Sequence, residues 1–136
     1  GADLAAIDGV NAMTDITGFG LLGHLLEITR ASKLAARVEL SRLPLLPGVG
    51  ELVQGGHVTG ASQRNWASYG DEVEIAGDIA ESQRAVLTDP QTSGGLLVSC
   101  RAELREAVLE VFRRHGFERA TEIGELRPGT NVSIVA

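Results

Sequence analysis

The hexapeptide Gly18-Phe19-Gly20-Leu21-Leu22-Gly23 restricts the fold more than any other stretch of this chain. Its glycines permit a tight turn, and a helical pattern follows at once. Leu21, Leu22, Leu25, Leu26 and Ile28 recur at the spacing of one helix face, which predicts a helix over 18–31 and then a short strand over 35–40. Asp15 or Thr17 stands where a side-chain oxygen could cap that helix by accepting from its first-turn amides.

The spacing G-x-G-x-x-G is also that of a dinucleotide-binding loop, and Glu39 follows about 20 residues later, where a ribose-binding acid would sit. The residues leading into the loop argue against that use. A first strand buried on both faces reads as nearly all apolar, whereas Asn11, Thr14, Asp15 and Thr17 are polar. Asp15 would also repel a pyrophosphate held by the loop unless a cation stood between them. If Mg²⁺ is supplied, the same residues agree with one another. Mg²⁺ prefers hard oxygen ligands and is commonly held by one or two carboxylates together with substrate phosphates. Asp15 could be one such carboxylate, and the amides of Gly18 to Gly20 could face a phosphate oxygen at the helix N-terminus. The plainer alternative stays open at this point: Asp15 caps the helix, and Gly20 and Gly23 let it pack closely.

Beyond residue 40, a Pro/Gly-rich stretch from Leu43 to Gly50 should wrap around a short helix near Glu51. Residues 55–70 read as a long polar loop, a length more often functional than idle. Within it Arg64 suits an oxyanion, Asn65 is uncommitted, and Trp66 and Tyr69 should anchor the loop by burying their rings. Residues 71–81 carry five acids and no base, the pattern of a solvated face. Thr88 to Gly95 is polar and glycine-bearing and runs into Leu96-Leu97-Val98; it is either a turn or a second anion-contacting loop, ahead of a buried strand over 95–100. Leu104, Ala107, Val108, Val111 and Phe112 mark one face of a helix over 102–115, with Gly116 as its C-cap. Strands near 120–126 and 131–135, joined through Pro128-Gly129, complete the chain.

Composition narrows the function. A net charge of −6 is not that of a nucleic-acid surface. Lys33 is the only lysine among twelve bases, so no Gly-Lys phosphate loop is possible. The lone Cys100 excludes an internal disulfide and a cysteine zinc cluster. No apolar run approaches the roughly 20 residues of a membrane span, and no signal peptide is visible. The expectation is an acidic, cytoplasmic α/β domain with no nucleic-acid or membrane partner. His24, away from the leucine stripe, reads as a core histidine; His57 and His115 have no metal-ligand spacing.

Two longer motifs then stand out together. Thr14-Asp15-Ile16-Thr17-Gly18-Phe19-Gly20-Leu21-Leu22-Gly23-His24 and Asp89-Pro90-Gln91-Thr92-Ser93-Gly94-Gly95-Leu96-Leu97 closely resemble the selenophosphate synthetases (selenide, water dikinases). The resemblance is to their C-terminal domain, which is shared with the aminoimidazole ribonucleotide synthetase superfamily. Leu43 to Gly48 and Gly60 to Asn65 resemble the same family, so the likeness runs over essentially the whole chain.

The resemblance implies an α/β fold with a mixed sheet of about four strands, covered by two main helices and several short ones. It implies one C-terminal domain, 1–136, with the ATP-binding and dimerisation domain lying outside this chain. The implied activity forms selenophosphate from selenide, ATP and water, releasing AMP and orthophosphate. In that family the reactive cysteine or selenocysteine and an essential lysine belong to the N-terminal domain, and neither Cys100 nor Lys33 corresponds to them. Asp15 is implied to bind Mg²⁺ with N-terminal-domain aspartates at the ATP phosphates, and Thr17, Gly18, Phe19 and Gly20 to line the same cleft. No catalytic residue is implied within this chain, and the chain alone is expected to be inactive. The competing readings are a sibling ATP-dependent enzyme of the superfamily, of hydrogenase-maturation or thiamine-phosphate kinase type, an NAD-binding module, and a non-catalytic interaction domain.

Overall fold

A computed structural model describes residues 1–136. Along the chain lie α1 (Ala2–Ala5), β1 (Val10–Asp15), α2 (Gly20–Ser32), β2 (Leu34–Glu39), α3 (Val49–Gln54), α4 (Gly60–Tyr69), β3 (Val73–Ile75), α5 (Glu81–Thr88), β4 (Leu96–Cys100), α6 (Arg105–Arg114), β5 (Gly124–Pro128) and β6 (Val132–Val135). Four strands form a mixed sheet in the order β3-β6-β2-β5. In it β2 is antiparallel to β5 and parallel to β6, and β3 is parallel to β6. Register follows from alternation: Ala36 lies opposite Leu126 and Val132, and Val38 opposite Gly124 and Ile134. Ala36, Val38, Val132 and Ile134 thereby share a core with Leu21, Leu22, Leu25 and Leu26 of α2. Burial of each such leucine contributes about 1.5–3 kcal/mol relative to leaving it in water.

The remaining strands, β1 and β4, form a separate antiparallel pair. A two-stranded ribbon is marginal by itself. Here Met13 and Val98 pack on a second, smaller core of Leu4, Val108 and Val111, supplied by α1 and α6.

The α/β class and the four-stranded mixed sheet agree with the sequence reading, and the helix expected over 18–31 is α2, closed by Lys33 at φ 56°. The helix expected over 102–115 is a short 3₁₀ turn, Ala102–Leu104, followed by α6, and Gly116 ends it at φ 82°. Other expectations need correcting. Residues 55–70 are not one long loop, because α4 starts at Gly60 with the Thr59 side chain accepting from the Ser62 amide. The acidic stretch 71–81 is not simply a solvated face: Val73 is buried, β3 pairs with β6, and Glu72 is held by Arg30. The strand at 96–100 is only half-buried, since it belongs to the two-stranded ribbon. The strand expected near 120–126 begins at Gly124 and runs to Pro128. No helix is long and apolar enough to cross a membrane.

Candidate functional site

The β1–β4 pairing decides where the two sequence motifs meet. Antiparallel register sets Asp15, the last residue of β1, opposite Leu96, the first of β4. The loop leaving β1 and the loop entering β4 are therefore neighbours. Contact continues past the strands: the Ile16 amide donates to the Gly95 carbonyl at 2.8 Å and the Gln91 amide to the Thr17 carbonyl at 3.0 Å. Two glycines make this approach possible. A Cβ on Gly94 would stand 1.8 Å from the Ile16 carbonyl oxygen, and one on Gly20 would stand 2.7 Å from the Thr88 carbonyl carbon. Gly20 also sits at φ 68°, where a side chain would be strained. The motifs at 14–24 and 89–97 thus form one surface.

On that surface Asp15, Gly18 and Phe19 are exposed, Thr17 is half-buried and Gly20 is buried. Neither Asp15 nor Thr17 caps α2. The N-cap is Phe19, which offers no side-chain acceptor. Thr17 turns its hydroxyl to His24 instead, with Oγ1 3.0 Å from Nε2, and His24 Nδ1 lies 3.1 Å from the Glu27 carboxylate. His24 is accordingly a buried, hydrogen-bonded histidine. The Asp15 carboxylate has no hydrogen bond or ion pair within the chain, so it is free to meet something else. The Gly20 amide bonds the Thr17 carbonyl, whereas the Gly18 and Phe19 amides have no backbone acceptor. A Cβ at Gly18 would meet nothing within 4 Å, so no contact inside the chain demands a glycine there.

The donor set limits what metal could bind. No group of three or more His, Cys, Asp or Glu side chains converges anywhere in the chain. One free carboxylate beside free amides suits a hard cation carried chiefly by phosphate and water oxygens, and does not suit a metal held wholly by protein. In the second loop, burial pushes the Asp89 carboxyl above its ordinary value. Cys100 is a poor nucleophile: burial, Glu103 and Glu122 all push its thiol up.

The dinucleotide alternative loses its structural basis. A dinucleotide-binding βαβ unit needs its two strands parallel in one sheet, but β1 and β2 belong to different sheets, and β1 pairs antiparallel with β4.

Sequence reasoning missed how α4 takes part. Its buried Ser62 and Tyr69 and its half-buried Asn65 reach both motif loops. Ser62 Oγ lies 2.6 Å from Thr88 Oγ1. Asn65 Nδ2 donates to the Gly18 carbonyl at 2.9 Å and to the Thr88 carbonyl at 3.0 Å, and the Tyr69 hydroxyl donates to the Phe19 carbonyl at 2.6 Å. Thr59, a residue type suited to the N-cap, was the available signal for this helix. Arg64, adjacent in sequence to Asn65, falls roughly opposite Ser62 at 3.6 residues per turn and is exposed. Trp66 is half-buried with the Arg84 guanidinium 4.6 Å from its ring centre, so it anchors structure as expected. Neither of two surface grooves, about 310 Å³ beside Arg42, Arg105 and Glu122 and about 490 Å³ between β1 and α2, is lined by residues of the paired loops.

Comparison with known proteins agrees with this fold. Residues 2–136 match the family described as AIR synthase related protein, C-terminal domain. A selenide, water dikinase of Pseudomonas straminea is 55% identical over 129 residues, covering 95% of this chain and 36% of that protein. The selenide, water dikinase of Burkholderia orbicola (strain MC0-3) matches with the same identity and coverage. That of Rhizobium meliloti (strain 1021) is 50% identical, over 95% of this chain and 37% of its own length. The chain thus spans little more than a third of these relatives. Among solved structures, thiamine-monophosphate kinase from Stenotrophomonas maltophilia K279a superimposes with a TM-score of 0.63 at 21% identity, covering 93% of this chain and 31% of that one. The E. coli hydrogenase maturation protein HypE does so with a TM-score of 0.64 at 20% identity, covering 99% and 34%. These two likenesses concern the fold alone. With its mixed sheet, its paired motif loops and a family match over almost its whole length, the chain belongs to the AIR synthase related protein C-terminal domain family.

Proposed function

We propose that this chain is the C-terminal domain of a cytoplasmic, ATP-dependent selenophosphate synthetase, which converts selenide, ATP and water into selenophosphate, AMP and orthophosphate. In this reading the paired loops form one wall of the ATP cleft. An N-terminal domain outside this chain supplies the opposite wall, the reactive residue and the dimer contact. Relatives named for that activity at 50–55% identity support it over the sibling enzymes, whose likeness is near 20%.

The observation that carries the reading is the free Asp15 carboxylate beside the exposed, acceptor-less amides of Gly18 and Phe19, with open space where a Gly18 side chain would stand. Asp15 would be one ligand of Mg²⁺, and Thr17, Gly18, Phe19 and Gly20 would line the phosphates. Mg²⁺, when bound, neutralises phosphate charge and fixes the oxygens for displacement. What the chain itself contributes is positioning. The Gly18 and Phe19 amides donate toward anionic oxygens without bringing charge, and Asp15 ends β1 three residues ahead of Gly18.

The test uses the full-length protein that contains this chain. Asp15→Ala should lower selenide-dependent AMP formation by about 100-fold or more, the rate equivalent of losing a few kcal/mol of charge stabilisation. A mutant with the wild-type rate and Mg²⁺ dependence would remove Asp15 from the site. The 136-residue chain alone should form no AMP, because one exposed carboxylate holds Mg·ATP weakly. A full-length protein without selenide-dependent AMP formation would favour a non-catalytic domain.

A further inference from the structure

The buried face of α4 does chemistry that packing does not require. Ser62, Asn65 and Tyr69 stand at i, i+3 and i+7, so they lie on one side of the helix. None of them is there as an apolar contact alone; each ends in a hydrogen bond to residues of the motif loops or to the end of α5. Asn65 is central, because its single amide group donates to two carbonyls, one on each side of the paired loops: Gly18 and Thr88.

Peptide planarity converts those carbonyl contacts into directions for the neighbouring amides. There are no cis peptides in the chain, and in a trans peptide the C=O and N–H point in opposite directions. With the Gly18 carbonyl drawn to Asn65, the Phe19 N–H must point away from α4. With the Thr88 carbonyl drawn to the same side chain, the Asp89 N–H must also point away from it. Neither amide has a backbone acceptor. The next peptide behaves consistently: Tyr69 takes the Phe19 carbonyl, and the Gly20 amide turns back to the Thr17 carbonyl. The Phe19 and Asp89 amides are therefore both left free, and Asn65 sets the direction of both.

We propose that Asn65 is a positioning residue: it orients the Gly18–Phe19 and Thr88–Asp89 peptides so that the Phe19 and Asp89 amides are presented to the anionic oxygens of the nucleotide. This rests on the ATP-cleft reading above. Without Asn65 the two peptides are free to rotate and the amides lose their common setting. An aspartate there would face two carbonyl oxygens with a group that only accepts, and would drive both peptides around.

The experiment measures KM for ATP and kcat of selenide-dependent AMP formation in the full-length protein, with thermal stability alongside. Asn65→Asp and Asn65→Ala should each raise KM for ATP by about 5- to 30-fold, the factor for losing 1–2 kcal/mol of donated hydrogen bonding, with a smaller change in kcat. Val111→Ala serves as the structural comparison. It removes apolar packing from the small core of α1 and α6, and should lower the melting temperature while leaving KM for ATP within about twofold of wild type. If Asn65→Asp does not fold, Asn65→Ala decides. An Asn65→Ala protein with wild-type KM, or one whose KM moves no more than that of Val111→Ala, overturns the positioning role. Asp15→Ala run in parallel keeps the two ideas apart: if it loses activity while Asn65→Ala keeps its KM, the cleft stands and only the role of Asn65 fails. If Asp15→Ala keeps activity, the cleft reading fails first.

Discussion

Helices α4 and α6 are both ten residues long, and they are held in opposite ways. Helix α6 buries Val108 and Val111 against the small core and turns Arg105, Glu106, Glu110 and Arg113 outward as exposed ion pairs. Helix α4 buries Ser62 and Tyr69 and commits Asn65 to two loop carbonyls. Apolar burial is non-directional, so α6 only has to cover a surface. Hydrogen bonds to particular carbonyls are directional, so α4 dictates the shape of the loops it touches. The first helix stabilises the domain; the second sets the geometry of its candidate site.

That contrast can be broken or sharpened by substitution. The largest effect should come from Gly94→Ala, whose new methyl would collide with the Ile16 carbonyl. It should cost about 4 kcal/mol or more, read by chemical denaturation, and should abolish selenide-dependent AMP formation in the full-length protein. Val111→Ala should cost about 2 kcal/mol by leaving a cavity in the small core, yet leave KM for ATP unchanged, because no α6 side chain hydrogen-bonds to either loop. Tyr69→Phe should cost about 1 kcal/mol but raise KM for ATP, since it frees the Phe19 carbonyl. An α6 variant that moved KM as much as the Tyr69 variant would dissolve the distinction.

Tyr69 also gives the contrast a pH signature. Burial raises its hydroxyl from 10.0 to about 12, so the folded chain holds this proton more tightly than the unfolded chain. The corresponding stabilisation is complete below pH 10 and is lost as pH rises from 10 to about 12. Tyr69→Phe should therefore remove part of the alkaline fall in stability seen in denaturation midpoints between those values, and no α6 variant should. The smallest effect belongs to Arg113→Ala, which breaks exposed pairs with Glu106 and Glu110. It should change stability by no more than about 0.5 kcal/mol, and by less at high salt.

The same contrast explains what could be read from the sequence. Helices α2 and α6 announce themselves because their partners are apolar and their burial leaves a periodic trace of leucine and valine. Helix α4 leaves no such trace, because its buried residues are polar and its partners are backbone carbonyls, which have no letter in a sequence. The edge strand β3 is hidden for a related reason: three residues, only Val73 of them fully buried, sit inside an acidic stretch. The loops bearing Asp15, Gly18 and Gly94 could be recognised as motifs. Their meeting could not, since it depends on the antiparallel register of β1 with β4. The cap proposed for α2 was wrong because the chain takes one further turn before the helix, so that Phe19 occupies the N-cap position and Thr17 finds His24.

A structure of the full-length protein with Mg²⁺ and a non-hydrolysable ATP analogue tests the central claim most directly. The account predicts an Asp15 carboxylate oxygen in the metal's coordination shell, at the roughly 2.1 Å usual for Mg²⁺, with the Phe19 amide within hydrogen-bonding distance of a phosphate oxygen. Phosphates bound on another face of the domain, with Asp15 still turned to bulk water, would contradict it.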